Sequence, residues 1–361
     1  MVPLFDTRAA LEPLQEEFTA AMRRVVESGR FVLGGELEAF EREFAAYTGT
    51  KHAVGVANGT DAITIALRAM GVGEGDEVIV PSFTFFASAE AIPATGARPV
   101  FCDIDPDSFC VTAETVRAAI TPATKAAVAV HLFGNVAPVA EIEALGVPVL
   151  EDAAQAAGSL GPDGRPGALG TAATFSFYPS KNLGGMGDGG AITTSDTGIA
   201  ERAALLRHHG STDKTTHSEL GYNSRLDELQ AAVLRVALPH LDGWSDGRRA
   251  AAALYEASEL GQLVQLPAAT AGSRPAWHLY VVRSARAEVL ARALGEAGVG
   301  CRSYYRTPVH RQPAMQQFGD GVELPGTEAA ASSNLAVPIG PTMAAEQVEE
   351  VVSAVVRALA A

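Results

Sequence analysis

Lysine is nearly missing from this chain: Lys51, Lys125, Lys181 and Lys214 stand against 23 arginines in 361 residues. Cysteine is scarcer still, with Cys102, Cys110 and Cys301 alone. Three scattered thiols make neither a disulfide framework nor a zinc site, so no metal is expected and the thiols read as reduced, in a cytoplasmic protein. Positive charge is also short. The net charge of −15 argues against nonspecific binding to nucleic acid or to a membrane surface. It leaves room for a small anion in a local pocket. No apolar run reaches the roughly 18 residues of a membrane span. The opening stretch MVPLFDTRAALEPLQEEF, acidic and broken by prolines, is unlike a signal peptide.

What is present is an ordinary globular balance, 47% hydrophobic and 19% charged, in a length that suggests about two domains. Short apolar runs alternate with helical patterns over the first two-thirds, which predicts a layered α/β domain. Strands are expected at 53–57, 77–80, 99–103, 126–132, 147–150, 172–177 and 190–193. Several are apolar throughout, as in strands covered on both faces. Helices are expected at 11–27, 36–47, 60–70, 200–208 and 227–238. A linker around 241–244 then opens a smaller region, with pieces at 277–282, 287–297 and 344–359. The expected division is 1–242 and 243–361.

The rare lysine at 181 lies just past a strand, before the glycine-rich run Asn182-Leu-Gly-Gly-Met-Gly-Asp-Gly-Gly. A lysine nucleophile must be neutral, and partial burial lowers its pKa. A surface lysine beside a glycine turn is the alternative. Asp152 ends an apolar run, where ligands of open α/β sheets bind. An aspartate there suits the pyridine nitrogen of pyridoxal phosphate, which must stay protonated to act as an electron sink. A plain helix N-cap is the other reading of Asp152. Gln155, one helical turn on, is placed to reach a ring hydroxyl. Asn58-Gly59-Thr60 follows a strand and opens a helix, offering free N–H groups and the Thr60 hydroxyl to a phosphate. Ser176 is a second candidate phosphate ligand, or a core serine. Phe85 in Ser82-Phe-Thr-Phe-Phe is a candidate stacking ring, or core.

At these residues the sequence resembles the sugar aminotransferases of the DegT family, pyridoxal 5'-phosphate enzymes of fold-type I. The likeness runs from VPLFDTRA and SGRFVLGGELEAFE through ANGTDA, GDEVIVPSFTF, VHLFG, EDAAQAAG and FSFYPSKNLGGMGDGGA to GYNSRLDELQAAVL, YYRTPVHRQPAM and LAVPIGP. It implies a large domain with a mainly parallel seven-stranded sheet flanked by helices, and a smaller α+β C-terminal domain. It implies Lys181 as the cofactor-bearing lysine and proton shuttle, with Asp152 at the pyridine nitrogen and Gln155 at the ring hydroxyl. Phe85 is implied as the stacking ring, and Gly59, Thr60 and Ser176 as the phosphate cradle. Asn223 would reach the cofactor phosphate of a neighbouring subunit, hence a homodimer with shared active sites. Tyr178, Tyr304, Tyr305 and His310 would line the substrate pocket, and Arg30 would approach a nucleotide diphosphate.

The implied reaction moves an amino group from L-glutamate to a keto-sugar linked to a nucleoside diphosphate, such as a dTDP-sugar, in deoxyamino sugar biosynthesis. Related sugar dehydratases carry histidine at the lysine position, so Lys181 implies amino transfer. The motifs look most like those of 3-keto enzymes; 4-keto sugar and keto-inositol enzymes share most of them, and a non-catalytic regulator of the same fold is the rival from another class. Two departures stand out. Leu33-Gly34-Gly35 replaces the usual Leu-Gly-Pro in a loop expected near substrate, and the segment between VHLFG and EDAAQ leaves room only for a reduced helix.

Overall fold

The computed structural model describes residues 1–360. Among the described residues nine strands form two sheets, and the expected seven build the larger one: β1 (His52–Val56), β2 (Glu77–Pro81), β3 (Arg98–Cys102), β4 (Thr124–Val130), β5 (Val149–Asp152), β6 (Ala172–Ser176) and β7 (Gly190–Thr194). Their order is β1-β7-β6-β5-β4-β2-β3. β7 runs antiparallel to both its neighbours, β1 and β6. The others are parallel, so the C-terminal ends of β1, β2, β4, β5 and β6 share one edge. Val130, Asp152 and Thr174 lie side by side in register near that edge. The strands are apolar on both faces because helices cover both: β7 is buried at every residue.

Behind β6, Phe175 and Phe177 meet Phe44 of the helix Gly35–Thr48 edge to face, with centroids 4.9 and 5.4 Å apart. Each such contact contributes about 0.5–1.5 kcal/mol beyond simple burial. The side-chain alternation of a strand then turns Ser176 to the opposite face. The same apolar cluster thus anchors the strand that delivers Ser176 and Lys181 to the sheet edge. The reduced helix before β5 is indeed short, Val139–Glu143.

The smaller sheet pairs β8 (Tyr280–Arg283) with β9 (Asn334–Val337), antiparallel. Its core joins Tyr255, Leu290 and Val351 from the helices Leu241–Ala257, Ala287–Glu296 and Ala345–Ala360. Val2 packs into that core and its backbone pairs with residues 298 and 300. The expected linker at 241–244 is corrected: those residues begin the 17-residue helix Leu241–Ala257. Gly243, Asp242 and Gly247 disguise it. Gly247 is there because a Cβ would stand 2.0 Å from the Pro341 carbonyl oxygen. β9 and its preceding helix Pro325–Ser333 fall in an alanine- and serine-rich stretch without periodicity, and were not expected.

Candidate active site

A cleft of about 1420 Å³ opens at the shared strand edge, larger than the roughly 300–1,000 Å³ of common small-molecule sites. Its floor is built by two close approaches. The helix Gly59–Ala69 starts at Asn58, whose side chain accepts the Asp61 N–H at 2.8 Å. That leaves the Gly59 and Thr60 amides at the open helix end, where the dipole favours an anion. Ser176 sits against this turn so closely that a Cβ at Gly59 would lie 2.8 Å from the Ser176 Cβ. Gly190 faces the same turn from β7, where a Cβ would stand 2.4 Å from the Asn58 carbonyl oxygen. Gly59, Thr60 and Ser176 therefore converge on one corner of the cleft.

Lys181 enters the cleft from the turn after β6, closed by its own N–H to the Tyr178 carbonyl at 2.8 Å. Burial pulls its ammonium down to about 8, against the opposing attraction of Asp152. On the order of a tenth of it is therefore free amine at pH 7. Asn182, the next residue, locks the turn by donating to the Ala276 carbonyl at 3.1 Å and the Ala157 carbonyl at 3.4 Å. Its oxygen is then left to accept from His278 Nδ1 at 3.3 Å, which places the imidazole proton on Nδ1. His278 lines the cleft beside Lys181. Burial, then the charges of Lys181 and Arg248, push its pKa well below the ordinary value and keep it neutral.

Asp152 is the last residue of β5 and only 5% exposed. Its Oδ1 accepts the Ala154 N–H at 3.2 Å and its Oδ2 accepts the Ser88 hydroxyl at 2.7 Å. A carboxylate has about four acceptor positions, so capacity remains toward the cleft. Gln155 is oriented by a backbone donor: Phe133 N–H gives to its Oε1 at 2.6 Å. The amide nitrogen therefore faces the cleft and the Tyr305 hydroxyl, 3.3 Å away. Phe85 stands at the mouth, 57% exposed, its ring 6.1 Å from that of Tyr305. An exposed ring over a polar floor fits a planar ligand lying between Phe85 and the residues below. Phosphate corner, aspartate, amide and amine together fit the phosphate, ring nitrogen, ring hydroxyl and aldehyde of pyridoxal phosphate.

Of the residues expected at the substrate side, Tyr178, Tyr304 and Tyr305 line the cleft. Three do not. His310 is 2% exposed and turned inward by the short helix Val309–Arg311. Its Nδ1 accepts from Ser82 Oγ at 2.6 Å, and Ser82 in turn accepts the His310 N–H at 3.0 Å. The histidine pins the Val309–Arg311 turn to the end of β2 rather than facing a ligand. Arg30 is exposed and donates to the Leu33 carbonyl at 2.5 Å, outside the cleft. Asn223 is exposed too, its amide oxygen held by Arg225, and lies outside the cleft of its own chain. Gly35, expected in a substrate loop, is the first residue of a helix.

Ser88, Asn182, His278, Arg302 and Arg306 were not anticipated, though Ser88, His278, Arg302 and Arg306 line the cleft. Ser88 had a readable signal, since Thr84 and Ser88 are four apart after a strand. His278 had none: it sits in a stretch that reads as an apolar strand.

Known proteins resemble this chain along almost all of its length. A transaminase from Streptomyces venezuelae, dTDP-3-amino-3,4,6-trideoxy-alpha-D-glucose transaminase, is 46% identical, with 98% of this chain and 95% of that protein covered. A protein from Geobacillus stearothermophilus named pleiotropic regulatory protein is 45% identical, covering 97% of this chain and 96% of its own. The crystal structure of S. venezuelae DesV in complex with a ketimine intermediate superimposes with a TM-score of 0.95 at 46% identity, over 98% of this chain and 97% of that one. The family model DegT/DnrJ/EryC1/StrS aminotransferase matches residues 12–356. By its sequence, its sheet and the residues gathered at the sheet edge, the chain belongs to the DegT/DnrJ/EryC1/StrS aminotransferase family.

Proposed function

We propose that the protein is a pyridoxal-phosphate-dependent aminotransferase that moves an amino group from L-glutamate to a keto-sugar linked to a nucleoside diphosphate, with a 3-keto deoxysugar first. The observation that carries the reading is Lys181: a desolvated amine with a pKa near 8, opposite Asp152 and beside an anion corner, in one cleft. When bound, pyridoxal phosphate supplies the electron sink that lets a proton leave the amino-bearing carbon.

The chain's own residues do the rest. Gly59, Thr60 and Ser176 hold the phosphate through amide and hydroxyl donors. The Asp152 carboxylate would accept the ring N–H, Gln155 Nε2 would donate to the ring hydroxyl, and Phe85 would cover the ring. Lys181 Nζ would hold and pass on the proton that leaves the amino-bearing carbon, a task its pKa of about 8 allows in both directions. Tyr178, Tyr304 and Tyr305 face the space left for substrate, with Arg302 and Arg306 at its rim. That space exceeds what the cofactor needs and suits a nucleotide sugar.

The relatives support the substrate class. Besides the Streptomyces transaminase, a protein 40% identical is named a 3-aminotransferase of a UDP-linked 3-dehydro sugar, and one 43% identical is named for a dTDP-linked 3-amino sugar. The relative named for regulation is matched by no loss of cofactor residues here, so the enzyme reading stands ahead of it. Asn223, exposed and outside its own cleft, suits a second copy of the chain, so the active unit is a homodimer. Residues 1–242 are read as the cofactor domain and 243–361 as the small domain. A cytoplasmic place fits the three free cysteines.

The test is amino transfer from L-glutamate across a panel of 3-keto and 4-keto dTDP- and UDP-sugars. The expected result is product with 3-keto substrates, lost in Lys181→Ala. Turnover of 4-keto substrates alone would move the assignment, and turnover by Lys181→Ala would end it.

A further inference from the structure

Ser88 and Thr84 follow β2 in Phe83-Thr-Phe-Phe-Ala-Ser88, a stretch that bends into the one-turn helix Ala87–Glu90. The bend stacks the two hydroxyls over the end of β5. Ser88 Oγ is 2.7 Å from Asp152 Oδ2, and Thr84 Oγ1 is 2.9 Å from Ser88 Oγ. Both side chains are buried, at 1% and 2% exposure, and both line the cleft.

The chemistry gives this chain one direction. An ionised carboxylate only accepts, so Ser88 spends its single proton on Asp152. Ser88 is then an acceptor toward Thr84, and Thr84 must donate to it. The two O–H bonds therefore run in one direction, Thr84 to Ser88 and Ser88 to Asp152. On the other side the Ala154 N–H holds Oδ1 at 3.2 Å. Held at one oxygen by backbone and at the other by Ser88, the carboxylate cannot rotate about its terminal bond, and its remaining lone pairs are aimed into the cleft.

We propose that Ser88, backed by Thr84, is a positioning residue that fixes the Asp152 carboxylate for the cofactor ring nitrogen. It thereby sets how tightly the cofactor is held and at which pH its protonation changes. The proposal rests on the cofactor reading of the cleft. Losing one charge-assisted hydrogen bond corresponds to a loosening of roughly 10–100-fold.

Ser88→Ala, Ser88→Thr and Thr84→Val are compared in the full chain, stripped of cofactor and titrated with pyridoxal phosphate. The readouts are the dissociation constant and the pH midpoint of the visible absorbance band of the loaded protein. Ser88→Ala is expected to weaken binding about 10–100-fold and to shift the midpoint. Thr84→Val, which keeps the shape and removes only the relay's outer donor, is expected to weaken it by roughly threefold in the same direction. Ser88→Thr, which restores the hydroxyl, returns both readouts toward wild type. Should Ser88→Ala not fold, Thr84→Val decides by the same two readouts. Variants that merely melt earlier, with affinity and midpoint at wild-type values, overturn the proposal. Wild-type protein that takes up no pyridoxal phosphate overturns the cofactor reading instead.

Discussion

Glu151 and Asp152 are adjacent on β5, both buried, and opposite in how their hydrogen-bonding capacity is spent. Side chains alternate along a strand, so the two carboxylates face different sides of the sheet. Glu151 is saturated. It accepts the N–H groups of Gly167, Leu169 and Gly170, each at 2.9 Å, and the Nε2–H of His131 at 2.8 Å. His131 Nδ1 in turn accepts the Ala137 N–H at 3.0 Å, so its Nε2–H is the one given to Glu151. Asp152 takes two donors and keeps capacity toward the cleft. Burial alone does not distinguish a scaffold carboxylate from a working one. The count of donors already spent does.

Replacing each carboxylate by its amide separates the two roles. Asp152→Asn should leave the fold intact and lower transamination by about 10²–10³-fold, since it removes the charge proposed to face the ring nitrogen. Glu151→Gln should do the reverse. Its new NH₂ would confront donors that are already pointing at it, at a cost of about 2–4 kcal/mol in urea unfolding, with turnover per folded molecule kept. If the Glu151 variant lost turnover without losing stability, the division would fail.

A smaller effect comes from Lys181, whose pKa falls from the usual 10.5 to about 8 in the fold. Between those values the unfolded chain binds more protons than the folded one, so stability rises with pH through that window. Cofactor-free protein should therefore gain stability from about pH 8 to about 10.5, and Lys181→Met should lack that part of the rise. The difference between their melting curves across pH is the check. A wild-type curve parallel to that of Lys181→Met would place the amine in water.

The smallest effect tests a third carboxylate of the scaffold kind. Glu228 accepts the N–H groups of Gly34, Glu36 and Leu37 at 2.7, 2.9 and 3.1 Å and so caps the helix Gly35–Thr48. Gly35 is spared by Glu228 and has open space where a Cβ would go. Proline is well suited to a first helical position. Gly35→Pro should therefore stabilise by about 0.4–1 kcal/mol and leave KM unchanged. A rise in KM would return this segment to the substrate side.

The cleft residues whose placement was legible beforehand are those set by local backbone: Gly59-Thr60 at a helix start, Asp152 at a strand end, Lys181 before a glycine run. The strands of the large sheet were legible for a similar reason, being short apolar runs between breaks. What stayed hidden depends on distant partners. Ser88 matters through Asp152, 64 positions away, and His278 through Asn182, 96 positions away. His310 read as a pocket residue because nothing local reveals that Ser82 holds it inward. The helix Leu241–Ala257 was masked by glycines that answer to Pro341, far along the chain.

The rarity of lysine makes the central claim easy to test directly. Protein loaded with pyridoxal phosphate is reduced with borohydride, digested and mapped by mass spectrometry. The account predicts the pyridoxyl group on the peptide containing Lys181, with Lys51, Lys125 and Lys214 unmodified. A label on any of those three and not on Lys181, or no label at all, would contradict it.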